Sequence, residues 1–304
     1  NIVNASGADA VINANFFDVD ADYRQWDSYL SLLGNASLDN YRDNKLSRYS
    51  EYKNYIHTAD VMLRVIKKDY NFNVGVQVVP QKSHFVQDYQ SVHTDTTRTV
   101  TNVTPTADFR WKISKLSQLR FTYRGNTSQP SMTDLLDITD DSNPLNVKKG
   151  NPGLKPSFTQ NFRLFYNNYI QNHQRSIMAH LMFSTTDNSI SNMVTYDKTT
   201  GGRTTRPENI NGNWNAFGMF MFNTAIDTAA YFNVNTFTTV NYSNSVGYVS
   251  VDKADSQKST TRTTNLSERI AASYRNDWLE FELNGSLSYM HARSKLQANN
   301  NLDT

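Results

Sequence analysis

Apolar and polar residues alternate with a period of two along much of the chain, the signature of a strand whose two faces meet different surroundings. Ala107, Phe109, Trp111 and Ile113 interleave with Asp108, Arg110 and Lys112. Leu119, Phe121 and Tyr123 alternate with Arg120, Thr122 and Arg124. Ile270, Ala272 and Tyr274 alternate with Arg269, Ala271, Ser273 and Arg275. In the clearest run, Leu279, Phe281, Leu283, Leu287 and Tyr289 stand against Glu280, Glu282, Asn284, Ser286 and Ser288. Helical signal is sparse, a turn or two at most within 27–38. The pattern predicts ten strands, at 55–66, 70–80, 104–113, 117–126, 158–169, 175–186, 212–225, 230–243, 264–275 and 278–291.

The predicted connections alternate in length. Short turns fall at 67–69, 114–116, 170–174, 226–229 and 276–277, and long polar ones at 81–103, 127–157, 187–211 and 244–263. In an antiparallel up-and-down meander this puts the short turns at one end and the long loops at the other, the asymmetry of an outer-membrane barrel. With Asn276-Asp277 as a two-residue turn, Tyr274 faces Leu279, Ala272 faces Phe281 and Ile270 faces Leu283, while Arg269 lies diagonal to Glu282. One face is then apolar throughout. A soluble sheet with one buried face shares this pattern. Strands of about 10–14 residues exceed the usual 5–6. Aromatics also gather near strand ends (Tyr55, Tyr70, Phe72, Trp111, Tyr166, Tyr169, Tyr231, Tyr274 and Trp278), as in interfacial girdles. Both features favour a transmembrane barrel.

Composition sharpens this reading. Only 38% of the 304 residues are apolar, yet 12% are aromatic, so the chain is polar but unlike a disordered one. No run approaches 18 apolar residues, which excludes a transmembrane helix and leaves a barrel open. A formal charge of +2 argues against nucleic acid as a partner. The absence of cysteine removes disulfides, thiolate zinc sites and thiol nucleophiles. The chain opens Asn1-Ile2-Val3-Asn4 with no basic or apolar leader, and reads as a mature form or a piece of something longer.

Catalytic signatures are absent, and no catalytic residue or cofactor is expected. His57, His84, His93, His173, His180 and His291 form no metal-binding spacing. His84 and His93, on a predicted long loop, would be the residues of a loop-borne protease site. Asp18, Asp20 and Asp22 alternate as in a calcium loop, but Tyr23 and Tyr29 stand where such a loop needs Gly and Glu. They and the cluster Asp137, Asp140 and Asp141 are the only candidates for Ca²⁺; no other metal site is expected.

The connection after the fourth predicted strand is dense in turn chemistry. Pro144, Pro152 and Pro156 fix φ, and Gly150 and Gly153 permit positive φ, so a stiff, folded loop is expected. Gly150-Asn151-Pro152-Gly153-Leu154-Lys155-Pro156, ahead of a strand near Phe158, resembles a segment of TonB-dependent receptor barrels. Arg124-Gly125-Asn126-Thr127-Ser128-Gln129-Pro130-Ser131, Asn143-Pro144-Leu145, and Arg206-Pro207-Glu208-Asn209-Ile210-Asn211-Gly212-Asn213-Trp214 resemble the Bacteroidetes form of that family. Ser157 departs from it, standing where the family usually has Glu, and no plug or TonB box is visible.

The resemblance implies an all-β, antiparallel up-and-down transmembrane barrel in the outer membrane. The chain would be part of a barrel of about 22 strands with a plugged lumen; a closed ten-stranded barrel is the alternative. Residues 1–52 would be a long lead-in loop, 53–292 the strands with their extracellular loops, and 293–304 the start of a further loop. The implied function is a receptor that binds a nutrient at its loops and admits it through the barrel. Its partners would be the bilayer, a plug and the TonB system through other segments, and a surface lipoprotein. The ligand would be a small molecule, glycan or peptide. Candidate ligand contacts are Asn126, Gln129, Asp137, Asp140, Asp141, Asn143, Asn146, Lys148, Lys149 and Asn151, with Arg203, Arg206 and Asn209 in the next loop. Arg110, Arg120, Arg163, Arg269, Glu280 and Glu282 are expected to face the lumen. A non-transporting barrel (adhesion, scaffold or assembly) and a soluble β-rich binding module are the alternatives.

Overall fold

A computed structural model describes residues 2–5, 8–25, 48–89, 92–141, 143–171, 174–250, 255–296 and 302–303. All ten predicted strands are present: β3 (Arg48–Ile66), β4 (Tyr70–Tyr89), β5 (Val92–Ser114), β6 (Ser117–Ser128), β9 (Ser157–Ile170), β10 (Arg175–Asp187), β13 (Asn213–Ala225), β14 (Phe232–Val249), β15 (Gln257–Arg275) and β16 (Glu280–Ser294). β1 (Ile2–Ala5), β2 (Ala8–Gln25) and β17 (Leu302–Asp303) extend the same sheet, whose order is β1-β2-β3-β4-β5-β6-β9-β10-β13-β14-β15-β16-β17. Four short strands, β7 (Thr139–Asp140), β8 (Asn146–Lys149), β11 (Ser189–Tyr196) and β12 (Arg203–Ile210), form a second sheet, β11-β12-β8-β7. A short helical turn, α1 (Met132–Leu135), is capped by the Ser131 hydroxyl, which accepts from Asp134 N at 3.0 Å.

The chain forms two compact units. One comprises Asn1–Val11, Met62–Gly75 and Thr104–Thr304, and the other Ile12–Val61 and Val76–Val103. In the second, the sequence expectation of a long loop over 81–103 is corrected: β4 runs on to Tyr89 and β5 starts at Val92. Ser83, Phe85 and Gln87 are buried alternately along β4. The Ser83 hydroxyl donates to Asn54 Oδ1 at 2.9 Å. His84 and His93 therefore sit on strands and not on a loop, His84 2.8 Å from Asp95 and His93 2.5 Å from Asp88. Polar residues replace the apolar stripe here, so the two-fold alternation fades while the backbone stays extended. For the same reason β14 and β15 reach into 244–263, expected as loop. Segment 1–52, expected as a lead-in loop, contains the antiparallel pair β1–β2; residues 26–47 lie outside the described residues.

The first unit carries the meander from β6 to β16, each strand antiparallel to the next. Its registers sort the side chains onto two faces. One row across the sheet reads Trp111, Leu119, Tyr166, Ala179, Phe220. Another joins Ala107, Tyr123, Phe162, Phe183, Ala216 and Tyr242. This apolar face is exposed: Leu181 is 52% accessible, Phe281 61%, and Leu283 and Leu287 64% each. Glu268 interrupts it on β15, and the Thr238 hydroxyl opposite donates to its carboxylate.

Aromatics band this face at both ends. Towards the long connections, Tyr123, Phe162, Phe183, Trp214 and Tyr242 follow one another at centroid separations of 4.8, 6.2, 5.9 and 5.1 Å. Near the short turns stand Trp111, Phe232 and Tyr274, the last two 4.6 Å apart. Phe232 and Tyr242 are ten residues apart on β14, about 33 Å of strand. At a tilt near 40° this is about 25 Å, the height of a barrel's apolar band.

The short turns lie where the sequence placed them, with one correction. β15 and β16 are joined by Asn276–Leu279, where Asn276 N donates to Leu279 O at 2.9 Å. Asn276 Oδ1 accepts from Trp278 N at 3.1 Å and Leu279 N at 2.8 Å. This side chain builds a wider turn than the two-residue one expected. Tyr274 therefore faces Phe281, Ala272 faces Leu283, and Ile270 faces Gly285. The slip is two residues, so every side chain keeps its face. Arg269 now opposes Ser286, out of reach of Glu282, and Arg275 pairs with Glu280 at 3.2 Å instead. In the turn before β14, Asp227 accepts from Phe232 N at 2.8 Å and Tyr231 N at 3.1 Å. The Phe232 N–H above all holds the Asp227 carboxyl below its usual range.

Candidate functional site

Two features of the first unit are candidates: the polar face of the sheet and the second sheet at the long-connection end. On the polar face, Arg110 opposes Arg120, Asp108 opposes Thr122, and Thr106 opposes Arg124 across β5–β6. Across β6–β9, Arg120 opposes Phe165, Thr122 opposes Arg163, and Arg124 opposes Asn161. Arg120 donates to Asp108 Oδ2 through Nε at 3.0 Å and Nη2 at 2.8 Å, and Thr122 Oγ1 donates to the same oxygen at 3.0 Å. Arg110 donates to Gln118 Oε1 through Nε at 3.1 Å and Nη2 at 2.8 Å. Arg120, Thr122, Arg124, Asn161, Arg163, Phe165 and His180 line a pocket of about 460 Å³. Arg110, Arg120, Arg163, Arg269, Glu280 and Glu282, expected on one face by alternation, share this face by register.

The second sheet joins two motif segments far apart in sequence. β8 runs parallel to β12, Asn146 beside Arg203, and Arg203 Nε donates to Asn146 Oδ1 at 2.9 Å. Asn151 is 5% exposed. Its Nδ2 donates to Pro207 O at 2.9 Å, and its Oδ1 accepts from Gly153 N at 3.0 Å and Arg206 Nη2 at 3.1 Å. Asn209 Oδ1 accepts from Lys155 N at 2.7 Å, while its Nδ2 donates to Lys155 O at 3.0 Å and Asn188 O at 2.9 Å. Gly150 lies against α1: a Cβ there would stand 1.7 Å from Leu136 O.

The candidate ligand contacts thus divide. Asn146, Asn151, Arg203, Arg206 and Asn209 are tied into the second sheet, and Asn143 Oδ1 accepts from Leu145 N at 3.1 Å. The bonds within the second sheet hold the loops together. Asp140 opposes Lys148 in the β7–β8 pair. Asn126, Asp137, Asp141, Lys148 and Lys149 are exposed, and Gln129 is half-buried. Asp18, Asp20 and Asp22 lie along β2. Among the described residues no three carboxylate or imidazole side chains converge on a metal-sized site. Arg124, Asn161 and His180 were missed as members of a site. Their even or odd place in the alternation was the available signal for the face, but their neighbours across strands were not readable.

A long antiparallel meander with an exposed apolar face, aromatic bands at both ends and a charged opposite face is the wall of a membrane-spanning β-barrel. Residues 16–302 match the sequence model of the outer membrane protein beta-barrel family, and the chain belongs to that family. Its place is accordingly the outer membrane. Among solved structures it is similar to the copper transporter OprC, at 9% identity and a TM-score of 0.35. That match covers 94% of this chain and 54% of the transporter, so the chain spans about half of its length. No curated protein sequence matches the chain.

Proposed function

We propose that the chain is wall and outer loops of a TonB-dependent receptor of the Bacteroidetes type, which takes up a solute across the outer membrane without catalysis. The supporting observation is the second sheet. The Gly150–Pro156 and Arg206–Trp214 segments, which resemble that family, clamp each other through Asn151 and Asn209. A stiff platform between long loops suits recognition at the outer surface. The solute, small molecule, glycan or peptide, would meet exposed loop residues such as Asn126, Asp137, Asp141, Lys148 and Lys149. A plug, the TonB system and a surface lipoprotein would act through other segments of the assembly. No resident cofactor is proposed.

The test is the intact mass of the native protein extracted from outer membranes. A mass more than twice 34.7 kDa, with a separable plug domain, is expected of the receptor. A native mass near 34.7 kDa leaves no chain for a plug and overturns the transport reading in favour of an adhesion, scaffold or assembly barrel.

A further inference from the structure

We propose that the arginine-lined pocket on the polar face binds an oxyanion, a phosphoryl or carboxylate group borne by a small solute. The site rests on the registers of β5, β6, β9 and β10, not on the transport reading.

The charge in this patch is locally unbalanced. Arg110 and Arg120 stand directly opposite each other, an arrangement that disfavours a sheet. Asp108 relieves Arg120, but Arg110 has only the neutral amide of Gln118. Arg124 and Arg163 have less. Neither side chain makes a hydrogen bond or ion pair with any described residue, and their positions on β6 and β9 are diagonal neighbours. Two long side chains can converge over that spacing. No carboxylate lines the pocket, and Asp108, beside Arg120, already accepts from Arg120 and Thr122.

On β15 and β16 the charges of the same face balance. Arg275 pairs with Glu280, and Glu282 stands opposite Ser273. The excess of cation thus belongs to the β5–β9 part of this face, where the pocket lies, and not to β15–β16. Guanidinium groups present planar forks of donors that match the paired oxygens of carboxylate and phosphate. Thr122 and Asn161 add neutral polar groups beside them, and a volume of about 460 Å³ is that of a small-solute site. An oxyanion bridging Arg124 and Arg163 would turn their mutual repulsion into attraction for it.

The test is arginine labelling of the native full-length protein by phenylglyoxal in chloride-free detergent solution, read residue by residue by mass spectrometry, with inorganic phosphate as the probe. Arg124 and Arg163 are expected to react without phosphate and to be protected as phosphate is added. Arg269, on the same face outside the pocket, should react equally with and without it. In the Arg163→Gln variant, half-protection of Arg124 should need roughly tenfold more phosphate or greater, one guanidinium having been lost. Labelling of Arg124 and Arg163 that ignores phosphate overturns the site. Labelling that is absent even without phosphate, and appears only after denaturation, also overturns it, because a protein carboxylate then fills the pocket.

Discussion

Asn151 and Gly150 show how much one position can decide. Asn151 uses its amide to tie its own turn to Arg206-Pro207, and Gly150 lets the backbone pass against Leu136 with no room for a methyl group. In sequence these positions were legible as a stiff loop because the prolines restrict φ; the positive φ expected of Gly150 and Gly153 is not adopted, and Gly150 serves the close approach to Leu136 instead. The partners of these positions were not legible, because Pro207 and Arg206 lie more than fifty residues away. The structural role of the asparagines was hidden by the same gap. Gly150→Ala forces backbone apart at Leu136 O and disrupts the bond from Asn151 N to Asp134 O. Overpacking of this kind costs about 1–3 kcal/mol. Tryptic cleavage at Lys148 and Lys149 in the folded protein should accelerate about tenfold or more. An unchanged cleavage rate would show that the clamp does not hold the loop.

At the scale of elements, strand positions and faces were readable and registers less so. Period-two alternation assigns each side chain a face, and a slip of two residues, as at the Asn276 turn, leaves that assignment intact. The turn itself depends on a side chain bonding its own backbone, which alternation does not report. Strand ends failed for a different reason. β4, β5, β14 and β15 continue past the apolar band, where nothing forces one face to be greasy. Neighbouring residues on β16 should therefore respond oppositely to one cation. Phe281→Arg puts a guanidinium on the lipid side, at a cost of roughly 2–4 kcal/mol near the midplane and less towards the interface, and should impair assembly into the outer membrane. Glu282→Arg lies on the polar face and should assemble. Equal yields of folded, heat-modifiable protein for both variants would mean the faces are wrongly assigned.

For the whole molecule, the sequence carried the fold class because a barrel wall is written twice, in alternation and in the rhythm of short and long connections. It did not carry the second sheet, whose strands are short and polar and whose β8–β12 pairing joins segments far apart in sequence. The apolar residues exposed here, among them Leu283 and Leu287, would be an aggregation surface in water. In lipid they are the solvent-matched face, and the roughly 25 Å between aromatic bands fits one bilayer. This orientation, apolar face to lipid and arginine face to lumen, is the claim on which the rest depends. The chain contains no cysteine, so a single Cys can be introduced at each position from 280 to 289 without a competing thiol from these residues. The measurement is spin-label accessibility along β16 in bilayers, comparing oxygen, which concentrates in lipid, with a water-soluble nickel chelate. Labels at 281, 283, 285 and 287 should favour oxygen and those at 280, 282, 284 and 286 nickel, with a strict period of two. Uniform access to nickel, or the opposite phase, would contradict the account.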